Sequence, residues 1–469
     1  MLTKNSKEQN RQSAEVSFRA GSEAYEAGRL EQAVQSFGDA ERSFCLIGDF
    51  KRAGDSRAMI AMIEHQNGLL EQSISSYRCV IQLYQDAGSP SDAAASLLAL
   101  GHVERHLGHL DQAQEAYLMA QSLYQSLQQA QGLGHVALAL GHIALQHAHL
   151  EDAAHHYQEA LGSFKLVADK AEADALSSLA NVQRLMGCYA EAEANYRLVL
   201  EKYRASGDRT GSTNALTDLG RLYLDAERLD QASQALIEAL EQAQSTEYEL
   251  GEGGANLGLA EVDLRQNGVD QALLEGQAAL GAYTRRHYDL GIANAQRLLA
   301  EIHLLRVGQL LYARSLMEQA ISIYKTLGFQ RGQAQATVGL GEIQRRRGCL
   351  NEAIYTFQQG REEAHRLGMS MVESRALLGL GESYRELGQF GQAKRLYLEA
   401  KACAEHPGNQ DDQGAIRRIA EAEIRLASLA TLTSDLDEAE VHVALTDEGA
   451  TSLHVADVAC STTNKGGLS

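Results

Sequence analysis

The sequence predicts an all-α fold, a right-handed superhelical solenoid of about ten helix-turn-helix repeats with a C-terminal capping helix. Two observations lead to this fold class. One alanine-centred pattern returns about every 40 residues along the chain, and the 469 residues include 42 glycines but only two prolines. Average usage would give about 5% proline, so short glycine turns between helices are expected rather than long irregular connections.

The repeat is defined by a small residue that follows a large apolar residue by three positions and usually follows a glycine by five. Successive copies are 39 to 41 residues apart, which is too regular for unrelated domains and indicates a tandem array. The ten positions are Ala33, Ser73, Ala113, Ala153, Ala192, Ala232, Ala272, Ala313, Ala353 and Ala393.

The first helix of each unit, helix A, carries a second small residue twelve positions earlier, or thirteen in the eighth unit. These residues are Gly21, Ala61, Gly101, Gly141, Ala180, Gly220, Ala260, Ala300, Gly341 and Gly381. The second helix, helix B, often has an aromatic residue four positions after its alanine, as at Tyr77, Tyr117 and Tyr157. Spacings of three, four and seven place these residues on one helical face, so the two small residues allow helices A and B to approach closely.

Glycines between the two helices predict left-handed turn residues. They are Gly28, Gly68, Gly108, Gly187, Gly308, Gly348 and Gly388. Acids or Asn at the start of helix B, such as Glu31, Asp111 and Asn351, suit the positive end of the helix dipole.

This pattern resembles the tetratricopeptide repeat in LGRLYLDAERLDQASQALIEAL (Leu219–Leu240) and LGESYRELGQFGQAKRLYLEA (Leu380–Ala400). The resemblance covers about residues 10 to 430, although the unit has 40 rather than 34 residues and lacks the proline that closes helix B. The longer unit is similar to those of the LGN/Pins adaptors and of bacterial peptide-regulated repeat proteins. The resemblance implies a groove that holds extended partner peptides or short signalling peptides.

The expected organisation is an N-terminal extension at 1–9, ten repeats at 10–410, a capping helix at 411–432 and an acidic, largely flexible tail at 433–469. The acidic tail is also a candidate occupant of the groove, because tethering gives it a high effective concentration there.

Composition argues against several other classes of function. The net charge of −20 disfavours nucleic acid and anionic membranes as partners, and no apolar run reaches the roughly 20 residues of a spanning helix. Six dispersed cysteines without ligand-pair spacing indicate neither a zinc site nor a disulfide framework, so we expect a cytoplasmic protein without a cofactor. The glycine-rich fragments at Gly132–Ala137, Gly251–Asn256 and Gly339–Glu342 lack the strand and the GK[ST] ending of a phosphate loop.

Nine of the 16 histidines lie between His102 and His156. Three interpretations remain open at this point: a metal site built from neutral imidazoles, a pH-sensitive binding surface, and solvated histidines on helix faces.

The resemblance also implies that the A helices line a concave face. The outward positions near the small residue are then the candidate peptide-binding residues, and they are His102, Arg105, His142, Asn181, Arg184, Asn214, Arg221, Arg265, Asn294, Arg297, Arg345, Arg346, Arg375 and Arg385. Arginine can bind a carboxylate with two parallel hydrogen bonds, and an asparagine amide can bind peptide backbone. Alternatively, these arginines pair with acids on neighbouring helices, for example Arg345 with Glu342 and Arg385 with Glu382 or Glu386.

With nearly the whole chain in repeats, the sequence predicts a non-catalytic scaffold that binds a protein or peptide partner, with acidic or extended peptides as the expected ligands. The alternative is a peptide-gated regulator whose superhelix changes pitch when a ligand binds. Self-association through the terminal repeats is a further expectation.

Overall fold

A computed structural model describes residues 4–167, 171–306, 308–405 and 413–432. The described residues form 21 α-helices and contain no strand, which confirms the all-α solenoid. The tail at 433–469, proposed above as a groove occupant, lies outside the described residues.

The odd-numbered helices are the A helices of the ten pairs, followed by one final helix. Their bounds are α1 (Lys4–Glu26), α3 (Phe50–Gln66), α5 (Pro90–His106), α7 (Ala130–Gln146), α9 (Glu172–Leu185), α11 (Arg209–Asp225), α13 (Glu249–Arg265), α15 (Asp289–Leu304), α17 (Gln330–Arg346), α19 (Ser370–Glu386) and α21 (Gln413–Leu432).

The even-numbered helices are the B helices of the same pairs. Their bounds are α2 (Leu30–Ile47), α4 (Leu70–Asp86), α6 (Leu110–Ser126), α8 (Leu150–Val167), α10 (Tyr189–Ser206), α12 (Leu229–Ser245), α14 (Val269–Arg285), α16 (Leu310–Thr326), α18 (Leu350–Arg366) and α20 (Phe390–Ala404).

Two compact units divide the chain, unit 1 at Met1–Val182 and unit 2 at Gln183–Ser469. Within each unit an A helix packs on its own B helix, and that B helix packs on the next A helix. Helices two apart also meet, and the most extensive of these contacts join A helices: α5 with α7 in unit 1, and α11, α13, α15, α17, α19 and α21 in succession in unit 2. The A helices therefore line the inner side of each stack and the B helices the outer side.

The described turns are 20 or 21 residues apart, except that 39 residues separate positions 148 and 187, and both connections of a repeat have the same backbone geometry. The positive-φ residues of the described turns are at positions 28, 48, 68, 88, 108, 128, 148, 187, 207, 227, 247, 267, 287, 308, 328, 348, 368 and 388. The seven glycines predicted from the sequence are among them. Ala148, Glu227 and Asn267 adopt the same conformation without glycine, because packing of the flanking helices fixes the turn even where a side chain adds strain.

The core lies between helices A and B, where the small residues meet the large ones. All nine repeat alanines of helix B are fully buried, and so are the rings of Tyr117, Tyr157 and Phe37. A Cβ added to Gly141 would lie 2.5 Å from a ring carbon of Tyr157. Glycine at that position thus makes room for the ring, and the three glycine-rich fragments noted above lie inside α7, α13 and α17 as packing residues.

No helix of the described residues is both long and apolar enough to cross a bilayer.

Candidate peptide-binding surface

The candidate residues lie on one face of the A helices, which we call the inner row. It comprises the positions six and three residues before the small residue and one, four and five residues after it. In four pairs of successive repeats, the side chain four positions after the small residue contacts the side chain five positions after the next small residue, 41 residues along the chain. The pairs are Tyr25–Gln66, His65–His106, Arg184–Asp225 and Arg345–Glu386.

In unit 2, acids bind most inner-row arginines. Arg184 pairs with Asp225 of the next A helix. Arg265 bonds to Glu261 at 2.8 Å and Glu227 at 3.1 Å. These acids are one turn or one repeat away, as the ion-pair interpretation requires.

The remaining arginines of unit 2 follow the same rule. The shortest N–O distances are 3.8 Å for Arg221–Asp218, 3.2 Å for Arg297–Glu301, 2.7 Å for Arg345–Glu342, 2.9 Å for Arg346–Glu342, 3.3 Å for Arg375–Glu301 and 2.8 Å for Arg385–Glu382. The specific pairs expected for Arg345 and Arg385 with Glu342 and Glu382 are both present. Glu301 and Glu342 each bind two arginines, whereas Arg265 and Arg345 each bind two acids, so the eight inner-row arginines of unit 2 are balanced by eight acids.

Two of the candidate asparagines accept hydrogen bonds from tyrosine hydroxyls. The Asn294 side-chain oxygen accepts a hydrogen bond from Tyr324 at 2.7 Å, and that of Asn214 accepts one from Tyr248 at 3.2 Å. Asn181 lies on α9, directly after the small residue Ala180. In Asn214 and Asn294 the oxygen is thus occupied, whereas the amide nitrogen keeps its capacity to donate to a ligand.

Unit 1 has a different inner row, with histidines in place of ion pairs. His102 Nδ1 lies 3.0 Å from the Tyr117 hydroxyl, and His142 Nδ1 lies 2.7 Å from the Tyr157 hydroxyl. Burial, and then the charge of Arg105, lowers the pKa of each imidazole to about 4. Both rings are therefore neutral at physiological pH, so a surface that switches charge near pH 6.5 is not formed by them.

The proposed metal cluster around His102 is not assembled. Within the described ranges, one group of three potential ligands lies close enough together for a metal, and it consists of His155, His156 and Glu159 on α8. These residues are on a B helix, away from the inner row.

Three residues of the candidate surface were missed from the sequence. Tyr117 and Tyr157 each follow their histidine partner by 15 residues, so an alignment of the two repeats would have identified both histidine–tyrosine pairs. Arg331 lies on the same face as the inner row, one turn nearer the start of α17, and one of its guanidinium nitrogens is buried without a hydrogen-bond partner. Burial, and then repulsion from Arg184, lowers the pKa of Arg331.

Comparison with protein families finds two matching models. A tetratricopeptide-repeat model matches residues 171–245, and a model of the soluble NSF attachment protein, SNAP, matches residues 3–132. A search of curated proteins finds no match. The resemblance to the LGN/Pins adaptors stays a prediction.

Among solved structures, a Rap protein complexed with competence and sporulation factor is similar at a TM-score of 0.50, with 14% identity, covering 76% of this chain and 97% of that one. A signal-transduction ATPase with a tetratricopeptide-repeat sensor from Pyrococcus horikoshii matches at TM-score 0.47 and 12% identity, covering 74% and 54% of the two chains. The apo form of RapI matches at TM-score 0.44 and 12% identity, covering 59% and 97%. At these identities the first likeness supports the solenoid fold alone.

Proposed function

Because this chain is a tetratricopeptide-repeat protein, we propose that it is a non-catalytic scaffold whose inner rows bind an extended segment of a partner protein. The observation that carries this proposal is the contrast between the two faces of each A helix. The packing face presents small and apolar residues, whereas the inner row presents hydrogen-bonding side chains in successive repeats of both units. Such a ladder suits a ligand whose backbone offers one donor and one acceptor per residue.

The charge of the inner rows supports an acidic or extended ligand. In unit 1, Arg105 lies among neutral histidines, whereas in unit 2 the inner-row arginines are balanced by acids that an acidic ligand would have to displace. We also propose a cytosol-like compartment, because the five described cysteines are free thiols.

One contact supports the peptide-gated regulator as a second candidate. Arg375 of α19 bonds to Glu301 of α15 at 3.3 Å and so spans the repeat between them. A change of pitch would alter this distance more than any contact between adjacent helices. A ligand that favours one pitch would therefore change the population of this bond.

A steric block tests the scaffold proposal without disturbing an ion pair. Gln146 is exposed at the end of α7, five residues after Gly141, and Gln114 is equally exposed on the B helix α6. We expect Gln146→Trp to reduce capture of the partner from native lysate at least tenfold, because the indole fills the inner side. Gln114→Trp is the matched control on the outer side. Equal capture by the two variants would contradict the assignment.

A further inference from the structure

Arg105 differs from the inner-row arginines of unit 2 because no described acid lies within ion-pair distance of it. Its Nε atom is buried without a hydrogen-bond partner. Arg184, which has the same place two repeats later, pairs with Asp225. The adjacent acid, Glu104, faces elsewhere and bonds to Arg78 at 3.2 Å and His109 at 2.9 Å. A partly buried guanidinium without an acid favours an anion from outside the chain.

The hydrogen bonds to tyrosine favour one tautomer of each neighbouring histidine. Burial raises the pKa of the Tyr117 and Tyr157 hydroxyls, so both stay protonated, and we assign each hydroxyl as the donor to Nδ1 of His102 or His142. A neutral imidazole that accepts at Nδ1 carries its proton on Nε2. Each ring therefore keeps one N–H donor, and neither offers an acceptor to a ligand.

The titratable groups that lower the pKa of the two imidazoles are all basic. His102 is influenced by Arg105, His135 and His65, and His142 by Arg105 and His102. The Tyr117 hydroxyl lies within hydrogen-bonding reach of Arg105. Helices α5 and α7, which carry Arg105, His102 and His142, are in direct contact. The charge of Arg105 acts on both imidazoles, so the three side chains are neighbours on the inner side of unit 1.

We propose that the guanidinium of Arg105 and the Nε2–H groups of His102 and His142 form a binding site for one carboxylate group of the partner segment. This inference rests on the proposed function and names the ligand chemistry of its unit 1 part. One cation and two neutral donors match a ligand with a single negative charge. A carboxylate fits because arginine binds it with two parallel, charge-assisted hydrogen bonds, which are strong. Acidic side chains and a free chain terminus both supply this group.

Acetate is the probe for the site, because it carries the carboxylate without the rest of a peptide. We would titrate the full chain, labelled with ¹⁵N at histidine, and follow the ring nitrogens of His102 and His142 by NMR. We expect both rings to show the Nε2–H tautomer and to shift saturably with acetate. We expect the same acetate affinity at pH 6 and pH 8, since the rings are neutral throughout.

Variants separate binding from folding. Arg105→Gln should weaken acetate binding at least tenfold while the tautomers stay fixed by the tyrosines, and Arg105→Lys should recover part of the loss. Arg42→Gln, an exposed arginine of α2 in the same unit, is the matched control and should bind acetate as the parent does. If circular dichroism shows that Arg105→Gln does not fold, the acetate affinity of Arg105→Lys tests the site instead. Lysine keeps the positive charge but lacks the planar guanidinium that makes two parallel hydrogen bonds.

Several results would overturn the carboxylate site. They are an Nδ1–H tautomer, undiminished binding in the Arg105 variants, absence of a saturable acetate shift, and tighter binding of inorganic phosphate than of acetate at matched ionic strength. Amidated peptides containing glutamate and peptides with a free terminus then distinguish the two carboxylate sources. Acetate binding that persists while partner capture fails would reject the proposed function and leave the site; capture without acetate binding would reject the site alone.

Discussion

The contact between Gly141 of α7 and Tyr157 of α8 gives a sharp test of the packing that positions the inner row. An added Cβ would lie 2.5, 2.7 and 3.0 Å from three carbons of the Tyr157 ring. The ring is fully buried and its hydroxyl bonds to His142. Gly141→Ala must therefore displace a core side chain that also orients a candidate binding residue.

Two opposing effects set the size of the change. Overpacking a core costs about 1–3 kcal/mol, whereas replacing glycine by alanine inside a helix contributes about 1 kcal/mol of stability. Gly162, in the paired helix α8, has no atom within 4 Å of an added Cβ. Gly162→Ala therefore gains the stability of a helical alanine without a steric cost. The difference in free energy of unfolding between the two variants then equals the steric cost at position 141, roughly 1–3 kcal/mol.

The assay is urea unfolding followed by circular dichroism, together with native-state hydrogen exchange of peptides from α7 and α8. Exchange reports local stability in a repeat array, where unfolding need not be a single step. We expect Gly162→Ala to be more stable than the parent, and Gly141→Ala to be less stable than Gly162→Ala by the steric cost. Equal gains in the two variants would refute the close helix contact.

Two further predictions concern buried charges in unit 2. Burial, with the carboxyl of Asp263 adding to it, raises the pKa of Glu275 to about 7 from its ordinary 4.5. The folded chain thus holds a proton that the unfolded chain releases, and stability falls as pH rises from about 4.5 to 7. Because Glu275 is only partly buried, solvent screening reduces the effect, and Glu275→Gln should flatten this slope and be more stable at pH 8 by on the order of 1–2 kcal/mol, measured by urea unfolding at several pH values. An unchanged slope would contradict the raised pKa of Glu275. Glu301→Gln leaves two arginines without their acid and should destabilise unit 2 by about 3 kcal/mol in the same assay. The exposed control Glu318→Gln should lose less than about 1 kcal/mol. Similar losses in the two variants would show that the ion pairs of Glu301 contribute little.

The fold could be predicted from the sequence because the repeat period contains nearly all of its information. Small residues at fixed spacing define which faces meet, and glycines mark the turns. The left-handed turns at Ala148 and Glu227 could not be predicted, since neither residue favours that conformation and only the flanking helices impose it. The period of the turns was a stronger signal than the identity of the turn residues.

The inner row could also be located from the sequence, but its chemistry could not. The period shows that Arg105 and Arg184 have equivalent places, yet it does not show that Asp225 binds one and that no described acid binds the other. That difference depends on side chains 41 residues apart, whose contact follows from the offset between successive A helices. Likewise, the neutrality of His142 results from burial and from the charge of Arg105 on another helix, neither of which the local sequence reveals.

The central claim, that the inner row binds an extended partner segment, is tested most directly by site-specific photo-crosslinking. A benzophenone amino acid would replace Gln146 of unit 1 or Gln335 of unit 2 on the inner row, and Gln114 on the outer side, and mass spectrometry would identify the adducts in native cells. We predict that a partner segment is cross-linked from each inner position and that the outer position gives no such adduct. Adducts from Gln114 as abundant as those from the inner positions, or none from the inner positions, would contradict the account.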